Sequence, residues 1–249
     1  FLDQKPGTSG LRKSTLKFQE KHYLEIFIEA ILQSLEDLQG ATLVVGGDGR
    51  YGNIEAIEKI VQICIAHKVE KVILPKFGLL STPAASHLIR SENAIGGIIL
   101  SASHNPGGIN GDFGVKLNIS NGGPAPEIIT NKIFKSSQLL TSYKICKIPL
   151  PDFSKYGTHI YGETILEVID GLEDYSNLME KIFDFDQISD FLKKDFSLIF
   201  DAMNAVTGPY AKNIFVEKMG LAHDCVMNGN PLKDFGGLHP DPNLTYASH

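Results

Sequence analysis

The amino-acid sequence predicts an α/β fold: helices layered on a mixed, mostly parallel sheet, repeated in a second, incomplete α/β domain. Short apolar runs that suit buried strands alternate with longer segments whose apolar residues recur at helical spacing. The connections between these segments are short, as is typical of layered α/β sheets. The chain has 249 residues, 43% hydrophobic and 21% charged, which is enough for a proper core and excludes a mainly disordered protein.

The first half of the chain contains three helix–strand alternations after a polar loop over 5–13. The predicted helices cover about 19–38, 54–67 and 81–90, and the predicted strands cover 42–45, 71–74 and 96–100. The third helix has a clear start signal, because Ser81 suits a hydroxyl N-cap and Pro83 suits the first turn. Residues 96–100 are apolar or glycine throughout, which predicts a fully buried strand.

The second half is less regular. Residues 101–126 hold nine glycines or prolines, which predicts a long functional or flexible loop without a regular element. A helix to about 139 follows, and then one or two edge strands within 144–163. We predict a first domain over 1–175 and a second over 176–249, with a helix over 174–191, a strand over 197–201 and a helix over 208–219. Because only one βα unit is visible there, we expect that the C-terminus is truncated.

Composition excludes several classes of function. The net charge of −6, without a long basic cluster, argues against nucleic acid as a partner. No apolar run approaches the roughly 20 residues of a membrane-spanning helix, and no signal peptide is visible. The lack of an initiator methionine indicates a trimmed or processed N-terminus. Three scattered cysteines (Cys64, Cys146 and Cys225) fit neither a disulfide framework nor a zinc site and predict a cytoplasmic protein. Cys64 is expected to be a buried small hydrophobic residue.

The strongest chemical signal lies at 101–108, Ser-Ala-Ser-His-Asn-Pro-Gly-Gly, directly after the third predicted strand. Strand ends in α/β sheets are where ligands bind, and a serine there is a candidate nucleophile. A turn in which the hydroxyls only bond the backbone explains the same residues equally well.

Two glycine-rich clusters and a lysine are weaker candidates. Residues 7–12 offer the hydroxyls of Thr8 and Ser9 and the guanidinium of Arg12, which suit a phosphate, although the pattern alone favours a flexible loop. Residues 46–50 end a strand and could line the same crevice, but we favour a structural ion pair between Asp48 and Arg50 that fixes the loop. Lys116 is by default a solvated lysine, and the alternative is a charge directed into a cleft. His22, His67, His87 and His239 have no metal-ligand spacing and are expected at the surface or in ordinary packing.

Seven segments, in chain order, resemble the phosphoglucomutases of the α-D-phosphohexomutase superfamily: 5–12, 45–50, 80–84, 101–108, 111–116, 118–127 and 239–247. Ser101 stands where the family motif normally has threonine. The resemblance implies that Ser103 is the phosphoserine of a sugar-phosphate mutase. It implies that this mutase interconverts glucose 1-phosphate and glucose 6-phosphate through glucose 1,6-bisphosphate. It also implies that Arg12, Thr8 and Ser9 contact substrate, and that His104 and Lys116 are candidates for proton transfer.

The resemblance also implies Mg²⁺, bound here through the phosphate on Ser103. The aspartate metal loop, the sugar-specificity loop and the phosphate-gripping domain of the family would follow the last residue of this chain. We therefore expect the isolated chain to be inactive. Two alternatives stay open: a non-catalytic, exocytosis-associated phosphoprotein, and a mutase for another sugar phosphate. The oligomeric state is not predicted.

Overall fold

A seven-stranded sheet forms the centre of the structure, a computed structural model that describes residues 1–194 and 196–237. Its strands are β1 (Leu11–Ser14), β2 (Thr42–Gly47), β3 (Lys71–Pro75), β4 (Gly96–Leu100), β5 (Asp112–Ile119), β6 (Gly157–Tyr161) and β7 (Thr164–Ile169). Their order is β1-β5-β4-β2-β3-β7-β6, and only β5 and β6 run against the common direction. The predicted mixed, mostly parallel sheet is confirmed.

Helices cover both faces of this sheet. They are α1 (Thr15–Phe18), α2 (Tyr23–Ser34), α3 (Asn53–Ala66), α4 (Thr82–Ser91), α5 (Glu127–Leu139) and α6 (Gly171–Ile182). Successive side chains of a strand point to opposite faces, so Leu43 and Val45 join the core under α2 and α3, whereas Val44 joins the core under α4. Apolar residues on both faces explain why β2 is a continuous apolar run.

Two local predictions in this unit are confirmed. Ser81 caps α4, because its Oγ accepts a hydrogen bond from the backbone N–H of Ala84 at 3.3 Å, and proline occupies the first turn. Cys64 is fully buried, and this burial raises the pKa of its thiol to about 12.

The predicted loops at 5–13 and 101–126 each contain a strand that the pattern does not indicate. β1 has a single buried apolar residue, Leu11, and β5 is interrupted by Gly114, Lys116 and Asn118. Neither segment shows a clean alternation of apolar and polar residues, so each forms a strand because its backbone pairs with neighbouring strands. β5 lies between β1 and β4, and both neighbours supply backbone hydrogen bonds.

Two predicted helices have different bounds in the structure because the backbone leaves the helical conformation within them. The helix predicted over 19–38 is the shorter α2, because His22 has a left-handed backbone at φ 69° that ends the preceding turn. The helix predicted over 174–191 is two helices, α6 and α7 (Phe185–Lys194), because Phe183 is extended. Asp184 then starts α7 by accepting a hydrogen bond from the N–H of Gln187 at 2.9 Å.

The edge strand predicted within 144–163 is β6. Its antiparallel partner β7, which joins β3, begins just beyond that range.

The last part of the described chain carries a two-stranded parallel sheet, β8 (Phe200–Asp201) and β9 (Val226–Met227). Between these strands lie α8 (Thr207–Ala211) and a π-helical segment, Lys212–Lys218, so the helix predicted over 208–219 is α-helical only at its start. The strand predicted over 197–201 is limited to β8. The division at residue 175 stays a prediction. None of the described helices is long and apolar enough to cross a membrane.

Candidate active site

The loop that follows β4 presents Ser103 at the carboxyl edge of the parallel strands. Ser103 is exposed and has a left-handed backbone, φ 56°, which a non-glycine residue rarely adopts and which is concentrated at functional sites. Its N–H donates to Ser101 Oγ at 3.0 Å, so the hydroxyl of Ser101 bonds the backbone. The Ser103 Oγ lies 3.4 Å from His104 Nδ1, and both side chains face solvent. Of the two hydroxyls, Ser103 is therefore the one free to react.

Arg50 lies beneath this loop and is 1% exposed. Its Nε donates to both carboxylate oxygens of Asp48 at 3.0 Å, and Nη2 donates to one of them at 2.9 Å. The predicted structural ion pair is thus confirmed. The guanidinium also donates to the carbonyl oxygens of Ser103 at 3.1 Å and Asp112 at 2.6 Å. These two contacts, which span 53 and 62 residues of sequence, were not predicted.

Arg12 and Lys116 lie on the same face of the sheet, which is the face covered by α4. Arg12 is paired with Gly114, and Lys116 lies two residues further along β5, opposite Ile99, which packs in the core beneath α4. Gly114 has no side chain, and the backbone of Ser101 lies against it, so the start of the serine loop packs onto β5 beside the two cations. A Cβ on Gly10, next to Lys116, would lie 2.8 Å from the Lys116 Cα, so the loop before β1 approaches β5 closely only because this residue is glycine.

These two cations are partly buried and uncompensated. Within residues 1–194 and 196–237, neither side chain forms an ion pair, and the buried Nε of Arg12 has no hydrogen-bond partner. Burial, together with the charge of Arg12, lowers the pKa of Lys116 below its ordinary value. Two like charges held without a counterion favour an anionic ligand.

Thr8 and Ser9 occupy a closed turn whose ends are Gly7 and Gly10. The N–H of Gly7 donates to the carbonyl of Gly10 at 2.9 Å, and the reverse bond is 3.1 Å. The backbone N–H groups of Gly7 and Gly10 are therefore used within the turn. Both hydroxyls are exposed, and their role in substrate binding stays a prediction.

The histidines outside the serine loop make structural contacts. His67 Nε2 lies 2.7 Å from Glu29, His87 Nε2 lies 3.2 Å from Asp174, and His22 bonds the hydroxyl of Tyr143 at 2.8 Å. His239 and the rest of segment 239–247 lie outside the described residues. Across the described ranges, no group of three or more His, Cys, Asp and Glu side chains is arranged to hold a metal ion.

Sequence reasoning missed three features that build this site: strand β1, which carries Arg12, strand β5, which carries Lys116, and the contact of Arg50 with the Ser103 carbonyl. A signal for the contact was present in the sequence, because Arg50 and Ser103 both follow neighbouring parallel strands, whose carboxyl ends meet at one edge.

Comparison with known proteins places this geometry in a family. The family model for phosphoglucomutase/phosphomannomutase, alpha/beta/alpha domain I, matches residues 3–144. The phosphoglucomutase of Aspergillus fumigatus is 55% identical over 250 residues, which cover 99% of this chain and 45% of that protein. Phosphoglucomutase 2 of Saccharomyces cerevisiae is 53% identical over 260 residues, covering 100% of this chain and 46% of that protein. The chain thus spans about half the length of these curated relatives.

A solved structure matches over the whole chain. It is the open form of the exocytosis-sensitive phosphoprotein pp63/parafusin (phosphoglucomutase) from Paramecium, with a TM-score of 0.95 and 42% identity. The match covers 100% of this chain and 47% of that one.

Proposed function

The chain belongs to the phosphoglucomutase/phosphomannomutase family, and we propose that it supplies the phosphoryl-carrying part of a phosphoglucomutase, which interconverts glucose 1-phosphate and glucose 6-phosphate. The observation that carries the proposal is an exposed serine on a left-handed turn, at the sheet edge that also bears two uncompensated cations. The activity belongs to the whole protein, of which the relatives are about twice as long.

Ser103 is the proposed phosphoryl carrier. Phosphorylated Ser103 transfers its phosphoryl group to a free hydroxyl of glucose monophosphate: the bond from phosphorus to Ser103 Oγ breaks, and a bond to the sugar oxygen forms. The sugar hydroxyl gives up its proton, and glucose 1,6-bisphosphate results. After this intermediate reorients, the other phosphate returns to Ser103 by the reverse step. Such transfer depends mainly on positioning and on stabilising charge.

Arg12 and Lys116 are the proposed source of that stabilisation. A phosphoserine carries about −1.5 to −2 charges near neutral pH, and the sugar phosphate adds a second anion. The free Nε of Arg12 offers a donor to such an oxygen. Thr8 and Ser9, on the turn that precedes β1, are proposed further contacts to the substrate.

His104 and Lys116 are the proposed groups for proton transfer. His104 lies nearest to the oxygen that the phosphoryl group leaves, with Nδ1 at 3.4 Å. The lowered pKa makes the charged Lys116 ammonium a better proton donor than an ordinary lysine, so this role is compatible with its positive charge.

Mg²⁺ is proposed as the cofactor, with a phosphate oxygen on Ser103 as one ligand. The described residues do not by themselves complete such a site, because they contain no cluster of three metal-binding side chains. We therefore assign no step to the metal. For the same reason the isolated chain is expected to lack mutase turnover. A cytoplasmic location, which the cysteine usage favours, belongs to the same proposal.

The proposal is tested with a coupled assay for glucose 6-phosphate on the full-length gene product, with Mg²⁺ and glucose 1,6-bisphosphate. We expect the wild type to be active and Ser103→Ala to lose activity by at least about 1,000-fold, since it removes the attacking oxygen. Ser120→Ala is the matched control, because this exposed serine lies on the turn after β5.

The other outcomes of this assay are informative. A folded wild type without activity on any hexose phosphate would favour the non-catalytic phosphoprotein. Activity on another sugar phosphate, but not on glucose 1-phosphate, would show that the protein is a mutase for that sugar phosphate. Full activity of Ser103→Ala would remove Ser103 from the mechanism.

A further inference from the structure

The Arg50 guanidinium is enclosed by a carboxylate, two loop carbonyls and an aromatic ring. We propose that Arg50, held between Asp48 and Phe235, is a positioning residue that fixes the Ser103 backbone for phosphoryl transfer. This inference rests on the proposed function, and it assigns Arg50 a role beyond a structural ion pair.

The hydrogen bonds of Arg50 tie down both ends of the serine loop. Nη2 donates to the Ser103 carbonyl at 3.1 Å, and Nη1 donates to the Asp112 carbonyl at 2.6 Å, where the loop re-enters the sheet as β5. Nε and Nη2 meanwhile bind Asp48 at 2.9 to 3.0 Å. Only a planar guanidinium reaches partners in these three directions at once, because a lysine ammonium is a single point charge.

The Ser103 backbone needs such support. Its φ of 56° is a strained conformation for a residue with a side chain and persists only where the surroundings hold it. The N–H of Ser103 is held by Ser101 Oγ at 3.0 Å, and its carbonyl is held by Arg50. Because the N–H and the carbonyl of Ser103 are both held, its hydroxyl can move only by rotation of the side chain.

Phe235 closes the outer side of Arg50. Its ring centroid lies 5.2 Å from the guanidinium carbon, and the ring is 2% exposed, a distance at which a cation and an aromatic face attract each other. A Cβ on Gly107 would lie 2.9 Å from this ring, so the serine loop accepts Phe235 only because glycine stands there.

The residues beside Phe235 bind the same two segments. The carbonyl of Lys233 accepts the N–H of Tyr51 at 2.8 Å and the N–H of Gly108 at 3.1 Å. The first donor follows Arg50 in the chain, and the second lies in the serine loop. Residues 233–235 therefore fasten Arg50 and the serine loop to each other from outside the central sheet.

Hydrogen exchange on the full-length gene product, read by mass spectrometry, tests this without any assay of activity. In Arg50→Lys we expect amides of residues 101–112 to exchange about tenfold faster, while those of β3 keep their protection. Arg90→Lys is the matched control, because Arg90 is exposed and makes one 3.4 Å contact with the Asn121 carbonyl. Unchanged loop exchange in Arg50→Lys, or equal acceleration throughout the sheet, would overturn the proposal.

Phe235→Leu provides a second variant should Arg50→Lys fail to fold. It leaves the Asp48–Arg50 pair intact and removes the aromatic face. We expect faster exchange at 101–112 by about threefold, with β3 unaffected. If the loop exchanges as in the wild type, Phe235 does not hold Arg50, and the proposal fails.

Steady-state kinetics on the full-length gene product then separates positioning from general stability. For Arg50→Lys we expect kcat to fall about 30-fold while KM for glucose 1-phosphate stays within about threefold, since the loop is misplaced but the substrate cations remain. Arg90→Lys should match the wild type. An unchanged kcat in Arg50→Lys contradicts the positioning role. An inactive wild type contradicts the proposed function instead, and the exchange result alone then decides the role of Arg50.

Discussion

The two faces of the central sheet differ in whether their partly buried charged side chains have partners within the protein. On the face covered by α2 and α3, Glu29 accepts hydrogen bonds from Gln33 at 2.9 Å and the backbone of Lys144 at 3.1 Å and contacts His67 at 2.7 Å. On the face covered by α4, Arg12 and Lys116 lie half-buried on neighbouring strands. In the part of the chain that the structure describes, no carboxylate pairs with either of them.

This difference distinguishes charges that stabilise the fold from charges that are proposed to bind a ligand. A buried charge is costly unless it is paired and hydrogen-bonded. Glu29 meets that condition within the protein, so its removal should cost stability. Arg12 and Lys116 do not, which supports the proposal that they bind an anionic substrate, and their removal should cost activity. Single substitutions on each face of the sheet test this division.

Lys116→Met on the site face has the largest expected effect. Because Lys116 is proposed to stabilise the charge of the transferring phosphate, its removal should lower kcat/KM of the full-length protein about 100-fold, or about 2.7 kcal/mol of transition-state stabilisation. The free energy of unfolding should hold or rise slightly, because the repulsion with Arg12 disappears. Lys155→Met, at an exposed lysine whose side chain is 79% accessible, is the control. A large loss of stability in Lys116→Met would place Lys116 among the structural charges.

The pH dependence of Lys116 gives a second readout of the same variant. Because its pKa is lowered from the ordinary 10.5, the cost of keeping it charged in the folded state is fully present below the lowered pKa. That cost fades as the pH rises toward 10.5. An activity that needs charged Lys116 should fall as the pH rises through the lowered pKa, and Lys116→Met should lack this limb. An identical alkaline limb in the variant would assign the limb to another group.

The elements of this site differ in how well the sequence predicts them. β4 is predicted with its observed bounds because Ile98, Ile99 and Leu100 are buried on both faces. β5 is not predicted, because Gly114, Lys116 and Asn118 interrupt its apolar residues and Lys116 is an uncompensated charge within a strand. The position of Ser103 follows from the end of β4. The left-handed backbone of Ser103 and the hydrogen bond from Arg50 to its carbonyl cannot be predicted in this way. They depend on contacts between segments more than 50 residues apart.

Glu29→Gln, on the opposite face, is expected to have the next largest effect. The amide keeps the shape but places an N–H₂ where a carboxylate oxygen accepted hydrogen bonds, which should cost about 1–3 kcal/mol in the free energy of unfolding. Activity of the folded full-length protein should stay within about twofold, because Glu29 lies away from the serine loop. Urea denaturation at neutral pH measures the first quantity. If Glu29→Gln kept the stability of the wild type but had a reduced kcat, Glu29 would belong to the functional charges and not to the structural ones.

The same variant predicts a pH dependence. Burial alone would raise the pKa of Glu29, but the hydrogen bonds from His67, Lys144 and Gln33 outweigh it and lower the pKa below the ordinary 4.5. The stabilisation by the carboxylate is therefore complete above pH 4.5 and is lost as the pH falls through the lowered pKa. The difference in stability between wild type and Glu29→Gln should shrink over that acid range, and a difference that grows there would contradict this account.

Glu163→Gln is expected to have the smallest effect and decides whether pairing alone makes a charge structural. Glu163 contacts Lys68 at 2.8 Å, about as close as Glu29 is to His67, but its side chain is 63% exposed, whereas that of Glu29 is 4% exposed. Solvent screens an exposed pair and ordering two mobile side chains costs entropy, so the substitution should change the free energy of unfolding by less than about 0.5 kcal/mol. The measurement is the same urea titration, in low and in high salt. A loss as large as that of Glu29→Gln would mean that partner distance, and not burial, sets the contribution of these charges. The contrast between the two faces of the sheet would then need another explanation.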